Sequence, residues 1–190
     1  MKKIIVMAAA IMLLAACTKD NNSNLMKEAN LSQNQKGGKA VTRPMKIDLV
    51  SSEDPNPSIP PTSCSGDLGL ATAGYFMHGN ATHLGQLISS NSRGQDTKCD
   101  FRLSTGFLNT EVKGQLAAAN GDLIYYTGVD VLDLNNLFIG GTEGTIKGRW
   151  TITGGTGRFA GATGYFDISG PVYFTSAPYF SITGEGVITY

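Results

Sequence analysis

Four groups of residues in this sequence could do chemistry, and each sets a condition that the fold would have to meet. The run from Gly154 to Gly164 could cradle an anion, because successive backbone N–H groups in a tight turn converge on one point. Its glycines, Gly154, Gly155, Gly157, Gly161 and Gly164, would equally serve a structural corner by supplying positive φ. No lysine or helical pattern adjoins the run, so the structural corner is the preferred reading, with Phe159 as an apolar plug. His78 and His83 are the only histidines. With Asp122, Asp130 or Asp133 they could supply the three or four ligands of a metal site. No recognised ligand spacing is present, so no metal is expected. Cys64 and Cys99 could form a disulfide or hold a reactive thiol, and neither has a histidine near it in sequence. Arg149 and Arg158, with Glu143, Asp167 and Glu185, lie on or beside strand-like runs. Turned inward they would pair in a polar cavity and, with His83, mark a small-ligand site. Turned outward they would form a solvated face, and strand register decides between the two.

The N-terminus bears on the compartment in which those cysteines would work. Lys2 and Lys3 supply a positive segment, Ile4 to Leu14 an apolar core too short to span a bilayer, and Leu14 to Ala16 a small-residue cleavage site. A cysteine directly after such residues, here Cys17, resembles the lipobox of bacterial lipoproteins. The resemblance implies removal of residues 1–16 and acylation of Cys17. Acyl chains at about 0.8 kcal/mol per buried methylene would then hold the protein to membrane lipid. Thr18 rather than an aspartate follows, which in that class favours the outer membrane, on its periplasmic or its surface face. Ordinary secretion with a coincidental cysteine is the alternative. In an exported chain the even pair left over, Cys64 and Cys99, points to the disulfide.

Composition narrows the remaining classes. With 15 Lys+Arg against 15 Asp+Glu there is no basic excess to neutralise phosphates, so nucleic acid is not an expected partner. No cofactor motif is present. Residues 17–62 are polar, poor in aromatics and end in Pro55, Pro57, Pro60 and Pro61, which reads as a flexible tether. Met45 to Val50 is the exception, since its alternation could make a short strand that docks on the domain.

Residues 63–190 hold all but two of the 24 glycines and read as one all-β domain. Leu68–Met77 and Thr82–Ile88 would form a hairpin about a turn at His78–Ala81, followed by a polar loop over Ser89–Lys98. Strands are expected at Cys99–Leu103, Glu111–Leu116, Asp122–Leu132, Glu143–Thr153, Gly164–Ile168 and Tyr179–Tyr190, with a tight positive-φ turn at Asn120-Gly121. The cleanest alternation sets Ile146, Gly148, Trp150 and Ile152 against Thr145, Lys147, Arg149, Thr151 and Thr153. Eight strands with hairpin connections make an eight-stranded antiparallel β-barrel, closed by pairing of the last strand with the first; a β-sandwich is the alternative.

Gly154 to Gly164 resembles the glycine turn of a calycin-like barrel superfamily that includes allene oxide cyclases and plant dirigent proteins. Ala81 to Gly85 and Ala119 to Asp122 carry a closer likeness, to small secreted bacterial proteins of unassigned function. The resemblance implies a barrel, often trimeric. No catalytic residue of those enzymes aligns with this chain. The expected function is a membrane-anchored barrel that binds a small apolar ligand or a partner without catalysis. An isomerase or cyclase acting in the lumen and a structural envelope protein are the alternatives.

Overall fold

Alternation of buried and exposed side chains runs through every long strand, and it decides which residues face the core. The computed structural model describes residues 39–54 and 60–190. The leader 1–16, Cys17 and the first part of the tether lie outside those residues. Eight strands carry the fold: β1 (Thr42–Glu53), β2 (Tyr75–Ala81), β3 (Arg93–Arg102), β4 (Phe107–Ala117), β5 (Leu123–Asp133), β6 (Glu143–Gly155), β7 (Thr163–Tyr173) and β8 (Tyr179–Thr189). Each pairs antiparallel with the next, and β8 pairs with β1, so the sheet returns on itself as a ring of eight strands. There is one such sheet, not the two facing sheets of a sandwich. Closure leaves neither β1 nor β8 as an open edge.

Register explains where the glycines went. One inward row runs round the ring through Asp96, Val112, Gly128, Trp150, Phe166, Gly186 and Met45. The next runs through Cys99, Thr110, Asp130, Gly148, Ile168, Gly184 and Ile47. In both rows glycines sit beside large side chains, as a narrow ring requires. A Cβ on Gly128 would strike the Trp150 indole, and one on Gly148 would strike the Asp130 carboxylate. Trp150, Tyr126, Phe166, Met45, Leu49 and Met77 are fully buried and fill the interior. Each contributes about 1.5–3 kcal/mol by leaving water. Tyr126 stacks on Trp150 with centroids 4.4 Å apart, and Phe166 meets the indole edge to face at 5.6 Å.

The weakest seam lies between β2 and β3, which share only the pairs Tyr75–Gly94 and Phe76–Arg93. Beyond it Ser65–Gly66 adds to β3 in parallel, and Thr62–Ser63 pairs with Ala71–Thr72. The Cys64–Cys99 disulfide, Cα atoms 4.5 Å apart, staples this covering segment to β3.

Several expectations need correction. Thr42–Glu53 lies within the stretch read as tether, yet it is the first strand of the ring, because Met45, Ile47 and Leu49 alternate into the core. His78 to Ala81 is strand rather than turn, held by β1 on one side, and the chain turns instead at Thr82 to Leu84. The loop expected before Cys99 is strand from Arg93 onward, its alternation masked by a bulge between Asp96 and Lys98. At Asn120-Gly121 only Gly121 has positive φ, and Ala118 N–H bonds Asp122 O across a three-residue loop. Among the described residues no helix is long and apolar enough to cross a membrane.

Candidate functional site

Because the strands alternate in direction, the connections fall at two ends of the ring. The near end, where β1 begins, carries residues 82–92, 118–122 and 156–162. The far end carries the connections after β1, β3, β5 and β7.

At the near end the glycine run is a corner with its own anion built in. Gly157 has φ 53°, and a side chain there would collide with the Asp122 carboxylate. That carboxylate accepts from Arg158 N–H at 3.3 Å and from the Asn120 amide at 2.8 Å. Asp122 thus occupies the place that an external anion would take. Phe159 is fully buried and meets Tyr190 edge to face at 5.0 Å, closing this end as a plug. The turn also gathers His83 and Arg158: the Arg158 guanidinium donates to His83 O, and His83 Nε2 lies 2.9 Å from Pro44 O. His83 holds φ 70°, which these contacts sustain. Arg149 is elsewhere, on the outer wall. It forms a bidentate pair with Asp167 at 2.6 and 2.7 Å and lies over the Tyr165 ring at 4.3 Å. Arg149 is therefore not brought together with His83 and Arg158. Among the described residues no three His, Cys, Asp or Glu side chains converge as a metal site.

The polar chemistry inside the ring sits instead on β3, β4 and β5. Asp130 is 3% exposed, and both its oxygens accept from Trp150 Nε1, at 2.9 and 3.1 Å. Burial pushes its carboxyl up from 3.8 to about 7; the indole hydrogen bond opposes this and the charge of Asp96 adds to it. Asp96 keeps some solvent access. Its carboxyl is nevertheless raised by burial to about 6, with hydrogen bonds from Thr72 and Thr110 pulling the other way. Tyr75 and Tyr126 lie beside this pair, Tyr126 OH donating to Met77 Sδ at 3.8 Å, and burial holds both hydroxyls well above the ordinary tyrosine range. The buried polar side chains include no Lys or Arg to balance the two carboxylates. Both carboxyls are therefore shifted toward their neutral forms.

Tyr75 of this cluster reaches the far end of the ring. A cleft of about 350 Å³ opens between the end of β1, the segment before β2, and the β7–β8 connection. Its walls include Tyr75, Phe174, Tyr179 and Phe180, and Tyr75 meets Phe180 edge to face at 5.0 Å. Thr72, which hydrogen-bonds Asp96, forms part of its lining. A second cleft of about 360 Å³ lies on the flank over Gly94 and Gly114, lined by Asp54, Arg93 and Lys113, where the missing side chains make room for the buried Tyr126 hydroxyl. None of His83, Arg149 and Arg158 lines either cleft.

Sequence reasoning passed over Asp96, Thr72 and Tyr75. A signal for Asp130 did exist: Ile124, Tyr126, Gly128, Asp130 and Leu132 share one phase, so a carboxylate sits amid apolar residues on the inward face. For Asp96 the bulge at Thr97 broke the phase. The chain matches no protein-family model, and comparison with curated proteins and with solved structures found no significant similarity.

Proposed function

We propose that this chain is a lipoprotein of the bacterial cell envelope. Acylated Cys17 anchors it, in the outer membrane, and its ring is a β-barrel of the allene oxide cyclase/dirigent-like kind that binds a small, largely apolar ligand without catalysis. The observation that carries the binding reading is the far-end cleft: about 350 Å³, walled by four aromatic rings and floored by small residues. That volume lies within the range of small-molecule sites. The filled interior speaks against an isomerase or cyclase working in a lumen, since Trp150, Tyr126 and Phe166 occupy the space that its substrate would need. A filled interior is compatible with the purely structural alternative, and the end cleft is what disfavours that reading. Val129 and Val131 stand exposed on the outer face of β5. They favour self-association, with a trimer as the form that the family resemblance suggests.

Two measurements test this reading. Metabolic labelling with palmitate should mark the full chain and be lost in Cys17→Ser; labelling that survives the substitution would refute the anchor. The full chain carrying Cys17→Ser, which needs no detergent, should then bind N-phenyl-1-naphthylamine saturably at one site. Ala73→Trp fills the cleft from its rim and should abolish that binding at unchanged Tm. Binding indifferent to this substitution would refute the cleft as the site.

A further inference from the structure

The end cleft also carries a charge signature. Among the described residues Glu53 is the only charged one lining it, and no Lys or Arg does. Glu53 forms no ion pair among the described residues, unlike Lys46–Glu185, Lys98–Glu111, Arg102–Asp100, Arg149–Asp167 and Arg158–Asp122. Four rings, Tyr75, Phe174, Tyr179 and Phe180, share the wall with this carboxylate. Aromatic faces carry a negative quadrupole, and a desolvated cation beside them is attracted in a way that a neutral group of equal size is not. The flank cleft is of mixed charge, lined by Asp54 as well as Arg93 and Lys113.

Resting on the end-cleft reading above, we infer that the ligand of this cleft is a small organic cation, an amine or quaternary ammonium with an apolar body. Glu53 supplies the counter-charge and the rings supply the cage. An anionic ligand would meet Glu53 without a compensating cation.

The test uses the full chain carrying Cys17→Ser and a pair of probes matched in shape, phenyltrimethylammonium and its uncharged isostere tert-butylbenzene. Each competes with bound N-phenyl-1-naphthylamine. The cation should bind about tenfold more tightly than the isostere, and its affinity should fall as salt is raised. Glu53→Gln, a substitution at an exposed strand end, should weaken the cation about threefold to tenfold and leave the isostere unchanged. Tyr179→Leu should do the same by removing one ring while keeping an apolar surface. Equal binding of cation and isostere would overturn the inference and leave the cleft reading standing. So would displacement of the probe by the isostere alone. Failure of all three molecules to bind would bring down both.

Discussion

The Asp130–Trp150 pair makes a prediction whose sign changes with pH. Folding raises the Asp130 carboxyl from 3.8 to about 7, chiefly by burial. Between about pH 4 and pH 7 the native state therefore binds more protons than the unfolded chain. Stability falls as pH rises through that window and levels off above it. A shift of about three units at 1.36 kcal/mol each bounds the effect at about 4 kcal/mol. Asp130→Asn removes the titration but keeps an oxygen for Trp150 Nε1. Its amide brings donors that lack an obvious acceptor, at a constant cost of about 1–2 kcal/mol. The variant should accordingly be less stable than the parent by about 1–2 kcal/mol at pH 4 and more stable by about 2 kcal/mol at pH 8. The swing of about 3–4 kcal/mol depends on the shift alone and not on the amide cost. Trp150 is the single tryptophan and sits in the pair, so urea unfolding followed by its fluorescence at pH 4, 6 and 8 reads the effect directly. A swing below about 1 kcal/mol would refute the claim that Asp130 is held against its charged form.

Further outcomes follow from the packing. Replacing both Cys64 and Cys99 by Ala frees a 35-residue separation and should lower unfolding free energy by about 2–4 kcal/mol, read by denaturant titration with and without reductant on the parent. Gly157→Ala must adopt φ 53° and displace Asp122; a loss of about 2 kcal/mol or more is expected, and a neutral result in thermal unfolding would contradict the corner's geometry. Leu49→Ala on β1, a fully buried site, should cost about 2–5 kcal/mol. A loss near zero would mean that β1 is not integral to the ring.

Strand class and inward phase could be read from the chain because they depend on period-two alternation, a local property. Thr145 to Thr153 outside and Ile146, Trp150 and Ile152 inside hold as expected. So does the pairing of Cys64 with Cys99. The extent of β1 was harder to read, since its alternation is clear while its flanks are polar and proline-rich. Only the closing partners, β8 and β2, turn it from a docked segment into a member of the ring.

The polar site depends on something no local pattern contains. Asp96 and Asp130 are 34 residues apart by number, and Thr72 and Tyr75 arrive from a segment that covers the β2–β3 seam. Their meeting is set by register and by the bulge at Thr97, and their raised pKa values by the dielectric of a filled ring. Composition and alternation were enough for an all-β chain with a stapled, glycine-cornered domain. Which carboxylates lie inside, what pairs with Arg149, and where a ligand could enter follow from long-range closure of the sheet, because an inward residue acquires its neighbours from strands far away in the chain.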